Sequence, residues 1–243
     1  MRKILLVLFI FVSLPLYSFS PWVDVEMGVV HSGYNDIRIP GNTGTEFSFS
    51  ENLEVPRHFF YRLRVGASFN KHHVFLLYAP LLLRAEGKIN KNIVFQDHTF
   101  TANTDIKGEY KFNSYRLTYR YDLIKNQKIT FALGLSTKIR DAKISLEGGG
   151  VYKEKTNVGS VPVLIHLYFN WVFAKPFSFI IEGEGLAAPQ GRAEDFFIGF
   201  TYTHWPRITF RLGYRFLEGG ADNDTVYNFT LIHYIAAGFT LKF

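Results

Sequence analysis

The chain has no cysteine. Disulfide stapling is therefore excluded, and so is a lipoprotein anchor on an amino-terminal thiol. Long hydrophobic runs are missing as well. Beyond Leu16 no apolar stretch approaches the roughly 20 residues that a membrane-crossing helix requires. There is no phosphate-binding glycine loop, no zinc-ligand spacing and no EF-hand pattern. The sequence predicts no metal site, no cofactor and no catalytic residue set. No repeat exceeds a strand pair and no low-complexity segment appears, so one domain suffices.

Aromatic side chains, in contrast, are abundant. They make up 17% of the residues, with 25 Phe and 14 Tyr, yet the mean hydropathy is only +0.02. That combination fits strands in which only every second residue meets an apolar surrounding. The amino terminus has a different composition. Arg2 and Lys3 precede an apolar run from Ile4 to Leu16, and small residues follow through Ser20. This predicts a secretory leader over residues 1–20, cleaved after Ser18 or after Ser20.

From Trp22 onward the pattern has a period of two. Val23, Val25, Met27 and Val29 alternate with Asp24, Glu26 and Gly28, and Phe59 through Phe69 repeat the pattern cleanly. His73 to Glu86 is apolar on both faces, and Pro80 inside it predicts a bulge or a missing ladder bond. In Ile106 to Leu123, Tyr115, Leu117, Tyr119 and Tyr121 share one face. Tyr110 and Phe112 fall in the opposite phase, which predicts a bulge near Asn113–Ser114. Five more strands follow from Ile129, Val161, Phe177, Ile198 and Ile208, and the last runs from Val226 to Phe243. The connections read alternately long and short. The long ones are Ser32–Arg57, Gly87–Asp105, one opened by Gly148-Gly149-Gly150, Ala188–Glu194 and Gly219–Thr225. The expected fold is all-β: a membrane-spanning antiparallel up-and-down barrel of ten strands over residues 21–243, with eight or twelve as alternative counts. The outward positions carry no charge at mid-strand, where Lys or Arg facing lipid would cost about 2–4 kcal/mol.

The last strand carries a specific likeness. Gly238 is followed by Phe239, Leu241 and the terminal Phe243, two apart. This resembles the carboxy-terminal assembly signal of bacterial outer-membrane β-barrels. The resemblance implies an outer-membrane location with both termini periplasmic. It also implies contact with the barrel-assembly machinery, outer-membrane lipid and lipopolysaccharide, as a monomer. Trp22, Trp171 and Trp205 fall at the periplasmic strand ends, as an interfacial aromatic belt would place them.

The net charge is +6, but neither aromatic–basic interleaving nor an exposed basic surface points to nucleic acid. The charges at inward positions are more informative. Asp24, Glu26, Asp122, Glu182 and Glu184 oppose Arg62, Arg64, Arg116, Arg120, Lys138, Arg140, Arg211 and Arg215. In a small barrel these predict a salt-bridged interior and a non-enzymatic structural or surface-interaction role. The alternative is a narrow anion-preferring channel lined by the excess arginine. A third reading is a rim hydrolase, either lipid-modifying or similar to the omptin proteases. Its candidates are Asp222 and Asp224, the adjacent pair Asp97–His98, and His31 beside Ser32, although omptins space their Asp/His pair two apart on a strand.

Overall fold

The structure is a computed structural model and describes residues 19–189 and 191–243. The expected leader lies almost entirely outside them. The first strand, β1 (Phe19–Arg38), pairs with β3 (His58–Phe69) on one side and with the last strand, β14 (Val226–Lys242), on the other. That second pairing closes the sheet into a ring. Between β1 and β14 the order follows the chain: β3, β4 (His72–Ala79) continued by β5 (Leu82–Lys88), β8 (Asp105–Lys125), β9 (Ile129–Gly148), β10 (Val151–Ala174), β11 (Phe177–Ala188), β12 (Gly191–Trp205) and β13 (Ile208–Asn223). Counting β4 and β5 as one interrupted strand, ten antiparallel strands make the ring. Pro80 causes the interruption. It lacks an N–H, and both segments keep one register against β8 on either side of it.

One end of the ring has tight turns: Asn70–Lys71, Asn126–Lys128, Lys175–Pro176 and Pro206–Arg207. At the other end the strands run much further than the alternation predicted, up to 24 residues in β10. Three of the expected long connections are in fact short. Gly149 and Gly150 form a two-residue turn with φ +57° and +81°. Two adjacent positive φ values suit the type I′ hairpin, and two glycines supply them without strain. Likewise β13 and β14 meet over Asp224–Thr225, and β11 to β12 is a short hairpin.

Among the described residues, only 39–57 and 89–104 are long connections, and both fold into the mouth of the ring. The first carries β2 (Phe47–Ser48), paired to Asp36–Ile37, and the single-turn helix α1 (Phe49–Asn52). The second carries the hairpin β6 (Ile93–Phe95) and β7 (His98–Phe100). Backbone bonds join them: Thr45 N donates to Val94 O at 2.9 Å, and Gln96 N to Ile39 O at 2.9 Å. Phe47, Phe49, Ile93 and Phe95 are buried against Leu83, Ile106 and Leu146 of the wall. Gly108 makes room for this packing, because a Cβ there would lie 2.6 Å from Cζ of Phe49.

The expected bulge at Asn113–Ser114 does not form, and β8 pairs with β9 in unbroken register from Ile106 to Asp122. The change of phase has another cause. Toward the short-turn end, Tyr115, Leu117 and Tyr119 face outward and are exposed; toward the mouth, Tyr110 and Ile106 face inward and are buried. The same inversion occurs in β9, where Ile139 is exposed and Ile144 and Leu146 are buried. It recurs in β14, between Ile235 and Ile232. One half of the ring is apolar outside, and the other is apolar inside.

Candidate functional site

In the half with the apolar exterior, the period of two turns every second side chain inward, and charged groups meet there across the ring. Glu26 on β1 faces Arg62 on β3 in the ladder, and its carboxylate accepts from Arg215 Nε at 2.7 Å. Arg211 Nη2 lies 3.1 Å away from it. Asp24 accepts from Arg64 Nε at 2.9 Å, from Arg211, and from Thr240 Oγ1 at 2.6 Å. Glu182 on β11 takes Arg64 Nη1 at 2.8 Å and Arg120 Nη1 at 3.4 Å. Glu184 takes Arg116 Nη1 at 2.6 Å. These contacts bridge strands on opposite walls, and the groups are nearly all buried. Stacking adds to the order, with the Arg120 guanidinium 4.0 Å from the Tyr168 ring centroid.

The residue at the centre of this lattice is not among the inward charges that the alternation picks out. Asp195 on β12 is 2% exposed and receives Arg62 Nη2 at 2.9 Å, Arg116 Nη2 at 2.7 Å and also Arg215. In the sequence it falls between the loop expected at Ala188–Glu194 and the strand expected from Ile198, whereas β12 already begins at Gly191. The inward set Gly199, Thr201 and Thr203, stepped back by twos, arrives at Asp195. His166 is also buried, with Nδ1 3.7 Å from Glu184.

Three expected members stand apart. Asp122 lies near the tight turns, bonded to His73 Nε2 at 2.9 Å and 3.3 Å from Lys125 Nζ. Lys138 and Arg140 reach into the mouth instead. Lys138 faces Arg116 across the β8–β9 ladder, and Arg116 already holds Glu184 and Asp195. Among the described residues, Arg140 Nη2 donates only to Asn157 Oδ1, at 3.3 Å. Both residues border a cavity of about 430 Å³ beneath the folded loops.

Trp22 corrects the expected aromatic belt. It shares the parity of Asp24 and Glu26, so its ring turns inward. Its Nε1 donates to Ser68 Oγ at 3.2 Å, and the ring packs 5.4 Å from that of buried Phe75. Trp171 and Trp205 do face outward, about half exposed, at the tight-turn end. Val161, at the expected start of its strand, turns inward. A register shift between Val161 and Leu164 places it opposite Lys138, on the inner face. At the closing seam, Gly238 pairs with Glu26, Phe239 with Val25 and Leu241 with Val23, and Phe243 N donates to Pro21 O at 2.9 Å.

The rim candidates do not assemble. Asp97 binds Lys153 Nζ at 2.8 Å, while Asp222 ends β13 beside the β13–β14 turn and Asp224 lies in that turn, both with their side chains exposed. Among the described residues no hydrogen bond or ion pair links either pair to the other or to His98. His31 is exposed and stacks near His233, whereas Ser32 beside it is buried in the ring, so the two diverge.

No family model matches the sequence, and no curated protein sequence matches it. Solved structures do resemble the chain. The outer-membrane protease OmpT from Escherichia coli superposes with a TM-score of 0.54 at 10% identity, over 93% of this chain and 98% of that one. The transport unit of the autotransporter AIDA-I from Escherichia coli gives 0.48 at 9% identity, over 92% and 90%. Neisserial surface protein A gives 0.35 at 15% identity, over 93% and 97%. The chain has the fold of the small outer-membrane β-barrels.

Proposed function

We propose that this chain resides in the bacterial outer membrane as a closed, non-enzymatic barrel that presents its loop-filled mouth for surface interaction. The observation that carries this reading is the cross-wall lattice of Asp24, Glu26, Glu182, Glu184 and Asp195 with six arginines. Each carboxylate is held by arginines from at least one other strand, so the lattice occupies the bore. Burying such charges costs several kcal/mol per ion unless each is paired, which favours a rigid packed filling over a hydrated passage. The exposed apolar belt, with Leu117, Leu135, Ile165, Phe200, Leu212 and Ile235, supports lipid contact at the same height. In this reading both termini are periplasmic, Gly238–Phe243 is the segment the assembly machinery engages, and the barrel is monomeric, with lipid and lipopolysaccharide around it.

The anion-channel alternative requires arginines free to meet a passing ion, and here they are engaged by carboxylates. The rim-hydrolase alternative requires a nucleophile, or an acid pair, joined to a histidine, and the dispersed rim residues do not supply one. Conductance of the purified protein in planar bilayers tests the proposal. Electrical silence at physiological salt is expected, and a steady open conductance would refute it.

A further inference from the structure

From the cavity in the mouth we infer a binding site for an anionic amphiphile, with a phosphate or carboxylate head on Lys138 and Arg140 and an aliphatic tail along the apolar wall. This deepens the surface-interaction reading and rests on the closed barrel beneath it. Lys138 is 4% exposed, and among the described residues it has no ion pair and no hydrogen bond. Its ammonium sits 4.8 Å from the Phe112 ring centroid and borders the cavity. A buried ammonium without a counter-ion is costly, and the neighbouring carboxylates are taken by Arg116. Arg140 lies two residues along the same face, with its Nε buried and unbonded. An anion between them would supply the missing partner to both, and a guanidinium suits a two-oxygen head.

The rest of the lining is mixed. Asn157, Asn228, Thr230 and the Arg192–Glu218 pair make its polar side. Ile39, Tyr110, Ile144, Leu217 and Val226 supply the aliphatic and aromatic part. The cavity volume of about 430 Å³ lies in the usual range for small-molecule sites, about 300–1,000 Å³. The ring also leaves it an entrance from the side. The β10–β11 ladder begins only at Ile165–Gly185. Above that pair, Val151–Leu164 has a strand neighbour only in β9, and Leu186–Ala188 only in β12. Val161, Pro162 and Leu186 border both this notch and the cavity. Exposed Val163, the outward position next to Ile165, sets the notch at the upper edge of the apolar belt, where a lipid could pass its tail through the wall.

The test is a titration of the whole folded barrel, held in an uncharged detergent, with dodecyl phosphate, inorganic phosphate and dodecanol, followed by tryptophan and tyrosine fluorescence and by melting temperature. Saturable binding of dodecyl phosphate is expected. It should weaken about tenfold or more in Lys138→Met, the loss of one charge-assisted contact, and return in Lys138→Arg. If Lys138→Met does not fold, Arg140→Gln should show the same loss. Equal affinity for inorganic phosphate would reduce the site to a plain anion site. Equal affinity for dodecanol would reduce it to an apolar hole, and unchanged binding in both variants would remove the head-group assignment; each overturns the inference. Conductance on the same preparation keeps the two readings separate: a silent barrel that binds nothing defeats only this one, and a conducting barrel that binds the probe defeats only the closed-barrel proposal.

Discussion

The two halves of one ring are filled in opposite ways. Where the exterior is apolar, the interior is a lattice of ion pairs around Glu26 and Asp195. Where the exterior carries Lys111–Asp141 and Lys143–Glu109 pairs, the interior is Phe47, Phe49, Phe95 and Leu146. The strands cross the boundary without a bulge in β8, so the side-chain pattern inverts while the backbone does not. Lipid outside demands apolar side chains there and leaves the polar set to the bore. Water outside restores the ordinary arrangement of a soluble core. The cavity at Lys138 and Arg140 lies where the two fillings meet, and there charge is left over.

The largest expected effect comes from the centre of the lattice. Asp195→Asn would leave Arg62, Arg116 and Arg215 short of a counter-charge, and breaking a buried pair costs about 3–5 kcal/mol. Urea unfolding, read by heat-modifiable gel mobility, should shift to clearly lower denaturant. An unshifted transition would mean that the lattice is not what orders the bore.

Phe49→Ala probes the other filling. Removing a fully buried Phe costs about 3–5 kcal/mol, here confined to the loop core. Protease should cut residues 39–57 faster while conductance and the lattice stay as they were. A global loss equal to that of Asp195→Asn would make the two halves a single cooperative unit.

Gly108→Ala should act on the same core more weakly. Its Cβ would meet the Phe49 ring and force it to shift, at about 1–3 kcal/mol for overpacking, with the same protease readout. No change would mean that the loop core is loose enough to yield.

Much of this was legible in the sequence. The ring, its strand count and most of the inward charges follow from the period of two and the position of the charged residues. The change of phase at Tyr110 and Phe112 was visible too, but it reads as a bulge unless each half is given its own solvent. Gly149–Gly150 suggested a long loop because tall strands above a membrane are not implied by a lipid-spanning length. Asp195 falls between the expected loop, which ends at Glu194, and the expected strand start at Ile198, and Trp22 follows its parity in the strand rather than its height. That Lys138 lacks a partner is a fact of geometry, since Arg116 reaches the shared carboxylates first.

At the exposed tip almost nothing should happen. Hydrogen bonding from Lys153 holds the Asp97 carboxyl below its ordinary range. A depressed carboxyl contributes above its unfolded pKa and loses that contribution as acid protonates it. Solvent and salt screen this pair, so Asp97→Asn should leave the melting temperature unchanged at neutral pH and in acid alike. A clear drop would mean that the β6–β7 hairpin is anchored to the wall by charge rather than by its apolar packing.

Single-channel recording of the wild type beside Glu182→Gln/Glu184→Gln tests the closed bore most directly. The double variant strips counter-ions from Arg64, Arg116 and Arg120. The wild type should be silent, and the variant should melt earlier or open an anion-selective conductance as the arginines repel one another. A conducting wild type, or a variant that stays silent with unchanged melting, would contradict the account.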